Sequence, residues 1–281
     1  MDWFIGIPVG FILVVIGALC LARSIRWVSP AGGVPAYWVG ILGGGLMCTL
    51  PVFVISVFSG PADVTRNTYG AAISALILAL VMMALVVDVE NLDINRRIET
   101  VTVALGTVIL EAMALVADIG FAEAQLLVVI LFVFMQFVHR NRKGAGSGYK
   151  DNPAPKPSVE PREVGYTAAL CILGIALFTV GLYLMIEGGA DLAHALFGNG
   201  GPLADDYGGS RASGSIADTI GPFGYALTAG LIMAFAAGIQ VAAMRRVGQK
   251  SLAAGTLTGA VLFTCFFALL SVLLLDMTVY G

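Results

Sequence analysis

The sequence predicts an all-α membrane protein, a polytopic bundle of about eight transmembrane helices with both termini external. Three observations carry that expectation. Apolar residues make up 58% of the 281-residue chain and charged residues 12%, against about 25% charged in ordinary soluble domains. The apolar residues gather into eight runs of helical-span length, since a hydrocarbon core of roughly 30 Å takes about 20 residues. The intervening loops alternate in charge. Thirteen of the fifteen Lys and Arg fall on every second loop. The positive-inside rule makes those loops cytoplasmic.

Span 1, Trp3–Ala22, closes on Arg23 and Arg26. Its positive charges follow rather than precede it, and no small-residue cleavage site ends it, so it reads as a retained span and not a signal peptide. Span 2, Val34–Phe58, contains Gly43, Gly44, Gly45 and then Pro51. Proline removes one helical hydrogen bond and crowds the carbonyl of Met47, four residues earlier. Adjacent glycines add backbone freedom. A helix break or hinge is expected at these four residues, near the midplane, where loosened carbonyls serve an ion or polar substrate. Span 3 is Tyr69–Val87. Arg96 and Arg97 precede span 4, Val101–Ala117. Span 5, Phe121–Val138, follows after only Asp118, Ile119 and Gly120, which predicts a tight helical hairpin.

The first five spans form a membrane segment over residues 1–138. Residues 139–165 hold six basic residues with interspersed Gly and Pro, a composition that cannot bury a core and reads as a cytoplasmic linker. Residues 166–281 form a three-span segment. Span 6 is Tyr166–Ile186, and an external loop over 187–221 carries a short surface helix at Ala190–Phe197. Pro222–Ala243 and Leu252–Leu275 complete the set around Arg245, Arg246 and Lys250. Trp3, Tyr69, Tyr183, Tyr225 and Tyr280 fall at external span ends, and Trp27, Tyr37, Trp38 and Tyr166 at cytoplasmic ends. Amphipathic rings favour headgroup depth, so these residues read as an interfacial belt. Arg96-Arg97 before Gly106-Thr107 and Arg245-Arg246 before Gly255-Thr256 have identical spacing, which suggests two parallel four-span halves.

Glu111 is the ionisable residue deep inside a span. A carboxylate at the midplane costs at least a few kcal/mol unless it is protonated, paired or hydrated. Thr107, Glu111 and Asp118 lie at i, i+4 and i+11, near one helical face. That stripe predicts an ion- or proton-binding site with Asp118 as its external mouth. Cys20, Cys48, Cys171 and Cys265 fall within spans without metal-ligand spacing and read as small packing residues. Neither a metal nor another cofactor is expected, nor nucleic-acid binding, because topology accounts for the basic residues. Catalytic residues are not expected either: there is no H-E-x-x-H, Walker loop, G-x-S-x-G or dinucleotide fingerprint. His139 and His194 fall on opposite sides of the membrane and cannot share a haem. Gly6 with Gly10, and Gly40 with Gly44, form G-x-x-x-G pairs suited to close helix contact, within the chain, with a membrane-protein partner or with a second copy. The lipid bilayer is the one certain partner. The sequence therefore points to a small transporter or ion/proton-conducting protein of the plasma or inner membrane. The alternative is a non-catalytic integral subunit or assembly factor of a larger membrane complex.

Overall fold

The computed structural model describes residues 3–32, 34–58, 61–86, 94–116, 121–142, 161–197, 216–247 and 250–280. No strand occurs among them. The helices are α1 (Trp3–Gly32), α2 (Ala36–Val39), a π-helical segment π1 (Gly40–Gly45), α3 (Leu46–Phe58), α4 (Pro61–Val86), α5 (Ile94–Val116), α6 (Phe121–Arg142), α7 (Pro161–Phe197), α8 (Ile216–Arg246) and α9 (Lys250–Tyr280). α2, π1 and α3 run on as one rod, so the described chain is eight rods. Six are long and apolar enough to cross a membrane, and two shorter apolar stretches, Tyr69–Ala84 and Ala122–Val138, lie in α4 and α6. Exposed side chains such as Phe4, Ile172 and Phe137 are large and apolar. In water such a surface would be a liability; against lipid it is the expected finish. This is an integral multi-pass membrane protein.

The rods are held by close backbone approach, because lipid tails are as apolar as leucine and give helices little hydrophobic reason to associate. Gly6, Gly10 and Gly17 of α1 meet Gly188, Gly181 and Gly174 of α7 in descending order, so these two helices are antiparallel. Gly40 and Gly45 meet Gly255 and Gly259 of α9 in ascending order, so π1 and α9 are parallel. Gly70 of α4 meets Ala226, Ala229 and Gly230 of α8 in a third seam. Both G-x-x-x-G pairs are thus filled by helices of the same chain.

The seams reveal an internal relation. Exchanging α1 with α7, the α2–π1–α3 rod with α8, and α4 with α9 turns the π1–α9 seam into the α8–α4 seam and maps the α1–α7 and α4–α9 contacts onto themselves. α4 and α9 run antiparallel, since Met82 meets Thr258 while Ala75 packs with Cys265. Exchange partners in opposite directions make the relation inverted, not the parallel four-plus-four duplication suggested by the arginine spacing. α5 and α6 stand outside it as a hairpin.

Three local expectations change. The short surface helix at Ala190–Phe197 is the end of α7, which continues unbroken from Pro161. Gly188 and Gly189 do not stop it because both are buried against other helices. The same helix begins inside the expected linker, at Pro161, a residue whose fixed φ suits a first helical position. Tyr37 does not stand in the interfacial belt. It is 2% exposed, with its hydroxyl donating to Thr258 Oγ1 at 3.4 Å. Tyr69, Tyr166 and Tyr183 are exposed, as a belt requires.

Candidate functional site

α5 and α6 form an antiparallel hairpin whose register is fixed by three contacts. Glu99 pairs with Gln136, Gly106 faces Leu131, and Glu111 pairs with Gln125. As one number rises the other falls by nearly the same amount, the mark of an antiparallel pair. The buried side of α5 is polar over most of its length. It carries Glu99, Thr100, Thr107 and Glu111, each buried, with Val103 and Ala104 between them. This is the helical stripe expected for Thr107 and Glu111, extended one end further than the sequence suggested.

Glu111 is fully buried. Gln125 Nε2 donates to its Oε2 at 2.7 Å, and the Cys265 thiol donates to its Oε1 at 3.4 Å. Both partners are neutral, and no ion pair to Glu111 exists among the described residues. A bare negative charge so placed would leave several kcal/mol of desolvation uncompensated. Gln125 presents its other amide atom, Oε1, with no hydrogen-bond partner, an acceptor lodged beside the carboxylate. Thr107 lies one turn earlier but does not bond to Glu111. Its hydroxyl donates back to the Val103 carbonyl at 2.8 Å. Asp118 lies outside the described residues.

A second polar feature sits between the inverted halves. α3, α4, α8 and α9 enclose a cavity of about 20 Å³ lined by Cys48, Thr49, Ser74, Thr264 and Ser271 among apolar neighbours. That is room for about one water-sized particle. Four hydroxyls and a thiol converge on it from α3, α4 and α9. Glu111 is not in its lining. Cys265, which touches Glu111, is the chain neighbour of Thr264, which faces the cavity. Carboxylate and cavity thus lie on different sides of α9.

The glycine–proline segment borders this cavity. The chain does not break at Gly43–Pro51; it under-winds through π1 and continues as α3 with Pro51 inside the helix. The carbonyl of Gly45 accepts from Cys48 Sγ at 3.1 Å and Thr49 Oγ1 at 3.0 Å. Both side chains thus bond back to the last residue of π1, where it passes into α3. Gly44 and Gly45 are pressed on α9, whereas Gly43 faces the Ile25 side chain at ordinary contact distance.

Sequence reasoning did not find Gln125, Glu99, Cys265 or the cavity hydroxyls. The first two carried a usable signal. Gln125 and Gln136 are polar residues inside an apolar run, spaced to face Glu111 and Glu99 across a tight hairpin. The cavity hydroxyls carried none, since Ser and Thr are common throughout membrane helices.

No family model matches this chain, and no curated protein matches it. Its fold is similar to that of the sodium-calcium exchanger NCX_Mj. A structure of that protein soaked with 10 mM Na+ and zero Ca2+ aligns with a TM-score of 0.55 at 18% identity, over 96% of this chain and 81% of that one. A structure soaked with 100 mM Na+ and 10 mM Sr2+ gives 0.54 at 19% identity, over 96% and 80%. Identity at this level speaks to fold.

Proposed function

We propose that this protein is a membrane ion transporter in which Glu111 binds and releases a proton or a cation. The observation that carries the reading is a fully buried carboxylate held, among the described residues, only by neutral donors, beside an amide oxygen that has no partner among them. Such a group needs a positive charge to be stable, and a proton or small cation that arrives and leaves supplies one. The likeness of the fold to a sodium-calcium exchanger supports transport, as does a polar cavity between inverted halves, the place where transporters of this kind of construction hold ions. Among the described residues the cavity lining offers hydroxyl dipoles without a carboxylate. Calcium takes six to eight oxygens, with carboxylates among them, so the chemistry favours a proton or a monovalent ion. The test is flux in proteoliposomes for wild type and Glu111→Gln, with assembly into a larger complex measured alongside. Full flux in the variant would move the assignment to the integral-subunit reading.

The eight-crossing arrangement, with both termini external in a plasma or inner membrane, is part of this proposal. It is supported by the helix directions: α1–α7, α5–α6 and α4–α9 are antiparallel and π1–α9 is parallel, as strict alternation requires. Single cysteines at Ser147 and Ser210, in a Cys-free background, should be labelled from opposite sides. Both positions lie outside the described residues. Labelling of both by one impermeant reagent in intact cells would remove the orientation.

The hinge belongs here too. π-helical turns recur at functional sites, and π1 with Pro51 is the most loosely laddered stretch of its rod, next to the cavity. Pro51→Ala should slow transport severalfold while folded yield holds. Unchanged transport with a stability loss of about 1–3 kcal/mol would make Pro51 a packing residue only.

A further inference from the structure

Apart from the polar cavity, the described residues form a second concavity. It is an open groove of about 890 Å³, walled by α4 and α8 with single residues from α1, α7 and α9. Its long wall is one face of α8. Leu231, Phe235, Gly238, Ala242 and Arg245 recur at steps of four and three, so they line up along the helix. From Leu231 to Arg245 the stripe runs about 21 Å at 1.5 Å per residue, somewhat more than one leaflet's half of the hydrocarbon core. Leu231 and Phe235 are 51% and 53% exposed. Phe235 is braced by Phe11 of α1, with ring centroids 5.9 Å apart. At the middle of the stripe a Cβ on Gly238 would meet no atom within 4 Å. The missing side chain leaves a slot in the wall.

Every described lining residue is apolar except Arg245, in the last turn of α8. Arg246 and Lys250 follow it closely in sequence, so positive charge gathers at one end of a long apolar channel. An occupant that matches has an extended hydrocarbon tail and a single anionic head. We infer that this groove is a binding site for one anionic phospholipid, its acyl chain over Gly238 and its phosphate at Arg245.

The test is native mass spectrometry of delipidated protein titrated with equal amounts of dioleoyl-phosphatidylglycerol and dioleoyl-phosphatidylcholine. Wild type should retain one phosphatidylglycerol per chain, with a preference of about fivefold, the factor one interfacial Arg supplies. Arg245→Gln should erase the preference, and Arg245→Lys should keep it. Gly238→Phe should fill the slot and abolish retention of either lipid. Ala242→Leu, one turn further on, fills the same channel should Gly238→Phe not fold. Equal retention of both lipids by wild type, or an unchanged preference in folded Arg245→Gln, would overturn the site. So would full retention in a folded slot-filling variant, or a dimer that the slot-filling variants disrupt, which would give the groove to a second copy.

Discussion

Glu111→Gln should lower ion or proton flux by about 10- to 150-fold, the factor that corresponds to the ~1.5–3 kcal/mol a charged group contributes through its hydrogen bonds. The substitution keeps the size of the side chain, with an amide oxygen in place of Oε2 to accept from Gln125 Nε2 and an amide nitrogen in place of Oε1 to donate weakly to the Cys265 sulfur, so the α5–α6–α9 contact should hold. What it removes is the ability to take up and lose a positive charge. Thermal stability should therefore stay near wild type, or rise, because a buried polar group that never ionises avoids the desolvation of a charged one. The measurement is initial flux into proteoliposomes, normalised to folded protein by gel filtration. Asp118→Asn should be milder and should matter less at high salt, since a mouth charge acts mainly by concentrating ions and a Debye length near 8 Å at physiological ionic strength screens it. Gln125→Leu separates two accounts of the site. If the amide only braces the carboxylate, stability falls and the residual flux keeps its ion dependence. If its free Oε1 takes part in coordination, the ion dependence shifts as well. A wild-type flux in Glu111→Gln, beside an active wild type, would leave the carboxylate as a structural hydrogen bonder.

Much of the architecture was legible because bilayer physics writes it in composition. Span length, loop charge and interfacial rings each report one coordinate, depth. Glu111 stood out by the same logic, since a charge at that depth must be compensated. What depth cannot report is which helix faces which. Gln125 and Cys265 reach Glu111 from α6 and α9, and only packing brings them there. The Arg-Arg and Gly-Thr spacing in α5 and α8–α9 suggested parallel halves, yet Gly106 faces a flexible Leu131 side chain while Gly255 is pressed on the Tyr37 backbone. The same pair of residues does different work at the two places. Tyr37 shows the limit of the aromatic rule. Its sequence position suits the interface, but α9 covers its ring. The end of α7 was misread for a related reason. Gly188 and Gly189 weaken an isolated helix, but here each packs on a neighbour, Gly188 on α1 and Gly189 on α8, and α7 runs on through them.

Gly45→Ala should be among the most damaging single-methyl additions in the molecule, while Gly43→Ala, two residues away in the same π turn, should be nearly silent. At Gly45 a Cβ would fall 2.5 Å from the Cα of Gly259 and 2.8 Å from the Ala260 nitrogen. Those are backbone atoms of α9 and cannot swing aside, so the helices must part along the seam that also holds Gly40 against Gly255. Overpacking of this kind costs about 1–3 kcal/mol, and more when a whole interface shifts, so Gly45→Ala is expected near the top of that range and Gly45→Val beyond it. At Gly43 the nearest atom is Ile25 Cγ2 at 3.5 Å, an ordinary contact with a movable side chain, and alanine is the better helix former by up to about 1 kcal/mol. Folded fraction against added sodium dodecyl sulfate measures both. Flux then separates packing from motion. If π1 serves only to let α9 approach, Gly43→Ala transports at the wild-type rate. If π1 flexes during transport, Gly43→Ala slows flux in a protein of full stability, because the added Cβ narrows the backbone conformations the turn visits. Equal tolerance of alanine at both positions would mean that the seam between π1 and α9 is looser than the contacts of Gly45 describe.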